Sequence, residues 1–502
     1  MELVDIARWQ FGIVTVYHFL FVPLTIGLTL IVALFETFWL RTKDPAYLRL
    51  TKFFGKLFLI NFALGLVTGI VQEFQFGMNW SDYSRFVGDV FGAPLAIEGL
   101  LAFFLESTFL GLWIFGWDKL PRLVHAACMW IVHLGVLASS WFILAANSWM
   151  QHPVGYRFDE ESGRAELTDF AAVMFNKVQL VTFPHVVLAA YLTAGAFVIG
   201  VSAWLYASKK HGSRVPGEDD PDAAEVLETA RSDRAMYRKA MRISAVVMLV
   251  GGIGVVVSGD VQGKIMTEVQ PMKMAAAEAL YETEESCAPF SVFTIGTPDG
   301  TEEKFAVTVP CLLSFLGTGS FDGEVKGINE LRETYRETYG ADPGAAYYTA
   351  SEYVPNIPVT YWTFRWMMGF GALGGAGAVL VLWLTRRSRE EKVAPAWIGR
   401  VGIGLPVVMV LANSMGWIFT EMGRQPWVVF GLMTTESGVS PGVSVTEALI
   451  SVITLTSLYA VLFVIEMKLL AKTVRKGPEE FVEPPDPGSK DHDPDAQLNF
   501  AY

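Results

Sequence analysis

Residues 11–40 have the sequence FGIVTVYHFLFVPLTIGLTLIVALFETFWL, an apolar run with very few polar side chains. A helix needs roughly 20 apolar residues to cross a hydrocarbon core of about 30 Å, so this run is long enough to span a bilayer. Core helices of soluble proteins rarely need that length. The preceding segment is acidic, with Glu2 and Asp5, and no small-residue cleavage site follows the run. We therefore predict a retained transmembrane helix and not a signal peptide.

The composition of the whole chain is also that of a membrane protein. Of its 502 residues, 52% are hydrophobic and 13% are aromatic, and the mean hydropathy is +0.37. The net charge of -13 gives no support for nucleic-acid binding. We predict an all-α membrane protein with nine transmembrane helices. The predicted spans are residues 11–40, 53–76, 95–117, 123–147, 178–207, 243–260, 361–385, 400–420 and 445–471.

The distribution of lysine and arginine predicts how these spans are oriented. Basic clusters follow spans 1, 3, 5 and 7, at residues 41–52, 119–122, 209–214 and 386–389. Because short basic loops stay on the cytoplasmic side, we expect the N-terminus outside and the C-terminus in the cytoplasm. The charged connector at residues 207–242, which contains Pro216 and Pro221, has a partly helical pattern and is then expected to be a solvated cytoplasmic spacer.

Two segments are predicted to lie outside the bilayer. Residues 261–360 form a loop of 100 residues on the outer face, far longer than an ordinary connection. An extracytoplasmic position permits a disulfide between Cys287 and Cys311, with two free thiols as the alternative. Residues 473–502 are Pro-rich and acidic, which predicts a disordered cytoplasmic tail after a membrane domain at residues 1–472.

A few side chains inside the predicted spans can ionise or bind metal, and a buried charge in a bilayer is costly unless it is paired. The predicted topology places all of them near the outer face: His18, His185, Arg365, Met367 and Glu421. Imidazole and thioether groups suit a low-spin haem, whereas a carboxylate suits high-spin iron with an open site. A packing role remains the alternative for each histidine and for the methionine. Spacing alone therefore suggests cofactors without identifying them.

Span 3 contains two carboxylates, Glu98 and Glu106, in AIEGLLAFFLEST. In an α-helix they would be about 12 Å apart along the axis and offset by roughly 80°, so both can face one internal path. With Ser107 adjacent, they predict a proton relay from the cytoplasm towards the outer site. The alternative is a pair of buried acids hydrogen-bonded to neighbouring helices. For His125 and His133 in span 4, and for His152 just beyond it, we expect packing or interfacial roles.

Seven segments together closely resemble subunit I of the cytochrome bd quinol oxidases, and they occur in order across all nine spans. They are TVYHFLFVPLTIG (15–27), LAIEGLLAFFLESTF (95–109), FILAANSWMQHPVG (142–155), FPH (183–185), GDVQGK (259–264), YWTFRWMMGFG (361–371) and GWIFTEMGRQPW (416–427). The most specific feature is GRQPW directly after an intramembrane Glu421.

The resemblance implies an electrogenic quinol:oxygen oxidoreductase of the bacterial plasma membrane. Such an enzyme oxidises quinol at the outer face and reduces dioxygen to water with cytoplasmic protons, which generates a proton motive force without pumping. It implies two haems b, one low-spin and one high-spin, and one haem d. It also implies a second membrane subunit, subunit II, with a single-span peptide as a further candidate partner. Ubiquinol and menaquinol both stay open as the substrate.

The resemblance also assigns roles to individual residues. His185 and Met367 match the ligands of the low-spin haem b, with Arg365 close by and tuning that haem. His18 and Glu421 match the ligands of the other two haems, and which of them holds haem d stays open. The remaining matches are Glu98 and Glu106 in the proton path, Lys273 and Glu278 of PMKMAAAEAL at the quinol site, Trp417 between haems, and Arg424 beside Glu421.

Two other classes of protein compete with this interpretation. A secondary transporter could use Glu98 and Glu106 for proton coupling, but the odd number of spans and the lack of an internal repeat argue against it. A haem b quinol dehydrogenase without oxygen chemistry would not need the open iron sites expected at His18 and Glu421. Bound haem distinguishes the first class from an oxidase, and oxygen consumption distinguishes the second.

Overall fold

The computed structural model describes residues 2–215, 221–297, 302–340, 353–386 and 396–479. Within these ranges, nine helical segments are long and apolar enough to cross a membrane, which confirms the predicted number of spans. The segments are Leu3–Thr42, Pro45–Met78, Ser81–Phe115, Arg122–Gln151, Phe170–Ala207, Ala223–Val269, Ile357–Leu384, Trp397–Met422 and Val445–Lys476.

In the part of the chain that the structure describes, fifteen α-helices form these segments and the predicted outer loop. In chain order they are α1 Leu3–His18, α2 Val22–Thr42, α3 Pro45–Met78, α4 Ser81–Ile97, α5 Phe104–Phe115, α6 Arg122–Gln151, α7 Phe170–Met174, α8 Lys177–Ala207, α9 Ala223–Val269, α10 Pro271–Glu278, α11 Leu312–Thr318, α12 Ile328–Tyr339, α13 Ile357–Leu384, α14 Ala396–Met422 and α15 Val445–Lys476. A π-helix, Glu98–Phe103, joins α4 to α5.

The described strands form three small antiparallel pairs. They are β1 Tyr156–Asp159 with β2 Arg164–Leu167, β3 Phe290–Gly296 with β4 Glu303–Val309, and β5 Trp427–Val429 with β6 Met433–Thr434. Each pair lies in a connection between membrane spans. The strands therefore cover the ends of the helical bundle and do not cross the membrane.

Helix α8 occupies the centre of the bundle, where it packs against α2, α6, α9 and α14. Small residues allow the backbones to approach closely, as is common between membrane helices. A Cβ atom at Gly27 of α2 would lie 2.6 Å from the carbonyl oxygen of Ala190, and one at Gly200 of α8 would lie 2.8 Å from that of Gly402. Neither contact leaves room for a side chain, so these glycines determine the helix spacing.

The first predicted span, residues 11–40, lies within the segment Leu3–Thr42 but is not one continuous helix. Helix α1 ends at His18 and α2 begins at Val22. The break has a local cause, because Pro23 has no amide proton and its ring would clash with the carbonyl group of Phe19 in an unbroken helix. His18 therefore lies at a helix end, where the backbone changes direction.

The third predicted span is also irregular. Because the π-helix Glu98–Phe103 lies between Glu98 and Glu106, the offset of roughly 80° expected for a regular α-helix is wrong. Short π-helical insertions are frequent at functional sites. Here the insertion changes the direction in which Glu98 projects relative to Glu106.

Helices extend into the predicted outer loop, residues 261–360, from both sides. Helix α9 continues to Val269, beyond the predicted end at residue 260, and α13 begins at Ile357. Helix α9 also starts at Ala223, so much of the predicted connector at 207–242 is helical. The apolar run underestimates this helix because its polar ends remain helical outside the apolar region.

The described residues of the predicted outer loop form α10, the β3–β4 hairpin, α11 and α12. Cys287 and Cys311 are joined by a disulfide that links the start of this hairpin to the residue preceding α11. At the C-terminus, α15 continues to Lys476, four residues past the predicted boundary at 472. Residues 480–502 of the predicted tail, like Pro216 and residues 387–389, lie outside the described residues.

Candidate cofactor and substrate sites

His185 and Met367 line the same cavity, which is enclosed by α8, α9, α13 and α14 and has mostly apolar walls. Two glycines border the two side chains. A Cβ atom at Gly416 would lie 3.0 Å from Met367 Sδ, and one at Gly259 would lie 3.4 Å from His185 Cε1. The glycines therefore leave space beside an imidazole and a thioether, the donor set of a low-spin haem. These residues fit the group that the sequence predicts.

The hydrogen bonds of His185 determine which ring nitrogen is free. His185 Nδ1 lies 3.0 Å from Ser258 Oγ, and that hydroxyl donates its proton to the carbonyl oxygen of Gly254 at 2.7 Å. A hydroxyl has one proton, so Ser258 must accept from His185 Nδ1–H. The neutral ring then has an unprotonated Nε2. This is the arrangement in which a histidine binds a metal while a neighbouring group fixes its tautomer.

His18 has the same arrangement on different helices. Its Nδ1 lies 2.9 Å from Thr68 Oγ1 of α3, and Thr68 donates to the carbonyl oxygen of Gly65 at 2.9 Å. Thr68 therefore accepts from Nδ1–H and leaves Nε2 of His18 unprotonated. A Cβ atom at Gly69 would lie 3.2 Å from His18 Cε1, so a glycine again borders the ring.

Two other intramembrane histidines differ, because both of their ring nitrogens have protein partners. His133 Nδ1 lies 2.9 Å from Thr29 Oγ1, and its Nε2 lies 3.0 Å from the hydroxyl of Tyr191. His125 contacts Glu36 through Nδ1 at 2.5 Å and the carbonyl oxygen of Trp113 through Nε2 at 2.8 Å. Both rings are therefore held by protein partners through both nitrogens.

Glu421 lies at the C-terminal end of α14 and is bound by two donors. Asn147 Nδ2 donates to its Oε1 at 3.1 Å, and the guanidinium group of Arg424 donates to its Oε2. Arg424 is buried, with 7% of its surface exposed, whereas 22% of the Glu421 side chain is exposed. Arg424 and Glu421 therefore form a hydrogen-bonded ion pair.

Trp417 connects the candidate ligands spatially. It lines the cavity of His185 and Met367, and its ring stacks on Phe19 with centroids 4.1 Å apart and an interplanar angle of 7°. Phe19 is adjacent to His18 in the chain, and Glu421 follows Trp417 by about one helical turn. The indole thus lies between the cavity and Phe19.

Lys273 and Glu278 lie on α10 of the outer loop and are both buried. Lys273 Nζ donates to the carbonyl oxygen of Thr420 at 3.1 Å and to Gln151 Oε1 at 3.3 Å. Burial lowers the pKa of Lys273 to about 7, which places its proton exchange near neutral pH. Burial also raises the pKa of Glu278, and the nearby Arg365 opposes that rise.

Arg365 attaches the loop to helix α13. Its guanidinium donates to Glu278 at 2.7 Å, to the carbonyl oxygen of Ser291 at 2.9 Å and to that of Ala277 at 2.9 Å. It also lies 4.3 Å from the ring centroid of Tyr361. Its hydrogen bonds go to loop residues, so it orders the candidate quinol site two residues from Met367.

The side chains of Glu98 and Glu106 both pack against one face of α6. Ser139 Oγ donates to Glu98 at 2.7 Å, and a Cβ atom at Gly135, about one turn away, would lie 2.7 Å from Glu106 Cγ. Among the described residues, Glu106 Oε1 is buried without a hydrogen-bond partner. The two carboxylates therefore follow one path along α6, and an oxygen without a partner is suited to exchanging a proton with water.

Sequence reasoning missed the residues that position these groups: Thr68, Ser258, Asn147 and Gln151. Asn147 and Gln151 lie inside the segment FILAANSWMQHPVG, so that segment already marked their neighbourhood. No feature of the sequence indicates which helix face either amide occupies. Thr68 and Ser258 have no distinguishing pattern, because hydroxyl residues are common on membrane helices and often bond their own backbone.

Three comparisons relate this chain to known proteins. A family model described as cytochrome bd terminal oxidase subunit I matches residues 6–478. Cytochrome bd ubiquinol oxidase subunit 1 of Bacillus subtilis (strain 168) is 46% identical over 480 residues, covering 95% of this chain and 94% of the relative. Cytochrome bd-II ubiquinol oxidase subunit 1 of Escherichia coli (strain K12) is 35% identical over 524 residues, covering 95% and 97%.

The fold is also similar to a solved structure. The bd oxidase from Geobacillus thermodenitrificans superimposes with a TM-score of 0.79 at 25% sequence identity, and the match covers 95% of this chain and 99% of that chain. The similarity therefore extends over the whole bundle and is not limited to the candidate sites.

Proposed function

The chain belongs to the cytochrome bd terminal oxidase subunit I family, and from this premise we propose that it is the haem-carrying subunit of a quinol oxidase that reduces dioxygen to water. Membership implies haem cofactors, a quinol substrate and a second subunit. The observation that carries the proposal is the arrangement of donors around Trp417. His18 and His185 each present an unprotonated Nε2, and Met367 shares a cavity with His185.

Three haems are assigned to these donors. His185 and Met367 hold a low-spin haem b, and His18 and Glu421 hold a high-spin haem b and a haem d, in an order that is left open. When bound, the haems supply electron transfer and oxygen reduction. The protein residues fix the histidine tautomers, provide glycine-lined space and place a carboxylate where an open iron site is needed.

Quinol oxidation is assigned to the outer loop beside α10. A quinol that loses electrons must also release protons, and a buried amine with a pKa of about 7 is a suitable acceptor. Lys273 and Glu278 are the residues proposed to bind the quinol hydroxyl groups. Arg365 holds Glu278 and the backbone of the β3 strand in place, so it acts as a positioning residue for this site.

Protons for water formation are proposed to enter from the cytoplasm through Glu106 and then Glu98. The shared face of α6 supports this path, because Gly135 and Ser139 contact the two carboxylates in turn. With quinol protons released outside and consumed protons taken from inside, charge separation follows without pumping. The orientation rests on the basic loops after the odd-numbered spans.

The proposed setting is a bacterial plasma membrane, in complex with subunit II and with a single-span peptide as a further candidate. Both types of quinol remain candidates, because one relative is named a ubiquinol oxidase and a 26% identical relative from Bacillus subtilis (strain 168) is named a putative menaquinol oxidase.

The deciding experiment is a dithionite-reduced minus air-oxidised visible spectrum of the purified complex, repeated after addition of carbon monoxide. We expect haem b bands together with a far-red chlorin band that shifts with carbon monoxide, and quinol-dependent oxygen consumption. Haem b without a chlorin band or oxygen consumption would indicate a quinol dehydrogenase. A complex without haem would contradict the proposal.

A further inference from the structure

Four polar side chains form a continuous hydrogen-bonded chain from α10 to the end of α14. Lys273 Nζ donates to Gln151 Oε1 at 3.3 Å, and Gln151 Nε2 donates to Asn147 Oδ1 at 2.9 Å. Asn147 Nδ2 then donates to Glu421 Oε1 at 3.1 Å. One path therefore joins the candidate quinol site to the candidate haem ligand Glu421.

The two ends of this path determine the orientation of both amides. An ammonium group can only donate and a carboxylate can only accept. Gln151 must therefore turn its carbonyl oxygen towards Lys273, and Asn147 must turn its NH2 group towards Glu421. Flipping either amide would place two donors or two acceptors together. All the hydrogen bonds consequently point the same way, from the positive charge to the negative one.

The Lys273 end of the path is shielded from water. Lys273 has 4% of its surface exposed and Gln151 has 5%. The ammonium group of Lys273 also lies 5.2 Å from the ring centroid of Phe419. In such surroundings, electrostatic effects are stronger than in water, and successive hydrogen bonds polarise one another.

We propose that Asn147 and Gln151 are positioning residues that transmit the positive charge of Lys273 to the carboxylate of Glu421 and thereby set its strength as an iron ligand. This inference rests on the proposed function, since it requires haem at Glu421. A positive charge at Lys273 withdraws electron density through the two amides. A carboxylate that is a weaker donor stabilises ferric iron less. The hydrogen-bonded path therefore raises the midpoint potential of the haem held at Glu421.

The test is an anaerobic redox titration of the purified complex with mediators, below pH 7 so that Lys273 is protonated, following the visible bands of each haem without added quinol. Lys273→Met and Asn147→Leu are each expected to lower the midpoint potential of the haem at Glu421. Combining them should lower it little further, because both interrupt the same path. Lys273→Arg keeps the charge and is expected to keep the potential near that of the wild type.

Ser148→Ala is the matched control for Asn147→Leu. Ser148 neighbours Asn147 on α6, and its hydroxyl donates to Gln179 at 3.1 Å, outside the path. This substitution removes a buried hydrogen bond and should leave the potential unchanged. If Asn147→Leu does not retain haem at Glu421, Gln151→Met replaces it. This substitution interrupts the path one residue further from Glu421, and the same decrease in midpoint potential is expected.

The outcomes separate this inference from the proposed function. If Lys273→Met lowers the potential equally with and without Asn147→Leu, the charge acts through space and the inference is overturned, although the oxidase assignment stands. An unchanged potential in both Asn147→Leu and Gln151→Met also overturns it. A wild-type complex without haem overturns the proposed function and this inference together.

Discussion

Thr68→Val tests whether a hydroxyl group on α3 fixes His18 as a haem ligand. The substitution replaces the hydroxyl with a methyl group of similar size, so the packing volume changes little. It removes the acceptor that lies 2.9 Å from His18 Nδ1. The buried Nδ1–H loses its partner, which costs about 1–3 kcal/mol. The ring also loses the interaction that selects the tautomer with an unprotonated Nε2.

The expected effect on the cofactor is larger than on folding. Loss of a partner that orients a metal-binding histidine typically weakens metal binding by about 10–100-fold. We expect the haem at His18 to be partly lost during purification, with the His185 and Met367 haem retained as an internal reference. The assay is the reduced-minus-oxidised spectrum with carbon monoxide, scaled to protein by a pyridine haemochrome determination. Thr68→Ser keeps the hydroxyl and should retain the haem.

Thr29→Val is a matched control that the chain itself provides. Thr29 Oγ1 lies 2.9 Å from His133 Nδ1 and donates to the carbonyl oxygen of Ile26 at 2.8 Å, as Thr68 does to Gly65. His133 has its second nitrogen bound to Tyr191 and is not a candidate ligand. Thr29→Val should therefore lower stability by a similar amount without loss of haem. Equal haem loss in both variants, or none in Thr68→Val, would refute the tautomer argument.

Three further predictions concern protons and the outer loop. Glu106→Gln should strongly reduce oxygen consumption while leaving the haem spectrum unchanged, and wild-type turnover in this variant would remove Glu106 from the proton path. Arg365→Met should lower the free energy of loop unfolding by about 3–5 kcal/mol, because it leaves Glu278 buried without its cation. Hydrogen exchange measures this change. Adding Glu278→Gln should recover part of the loss. Since burial lowers the pKa of Lys273 to about 7, the neutral amine forms above that pH, so kcat/KM for quinol should rise with pH through about 7. Lys273→Gln should abolish that rise, and an unchanged pH profile would contradict the proposed role.

The sequence predicts the features that depend on local composition. Nine apolar runs correspond to the nine membrane-length helices found in the described residues. His18, His185 and Glu421 attract attention because polar groups inside apolar runs are costly. Even the break after His18 has a local cause in Pro23. These predictions succeed because hydropathy adds up along the chain and needs no knowledge of neighbouring helices.

The errors made from the sequence also have physical causes. The predicted ends of span 6 follow the apolar run, whereas α9 continues from Ala223 to Val269 through polar residues that remain helical outside it. The predicted offset between Glu98 and Glu106 assumes a regular α-helix. The π-helix between them has no distinctive amino-acid composition that would reveal it in the sequence. Backbone hydrogen bonding and polar packing therefore decide where these elements end and how they turn.

The sequence by itself determined the number of membrane helices and the donor types available in them. Only the tertiary structure decided which nitrogen of His18 and His185 is free, and that Asn147 and Gln151 connect Lys273 to Glu421. The partners are distant in sequence: Thr68 lies 50 residues from His18, and Glu421 lies 274 residues from Asn147. A hydrogen bond depends on the position and direction of both groups, and those are set only when separate helices pack together.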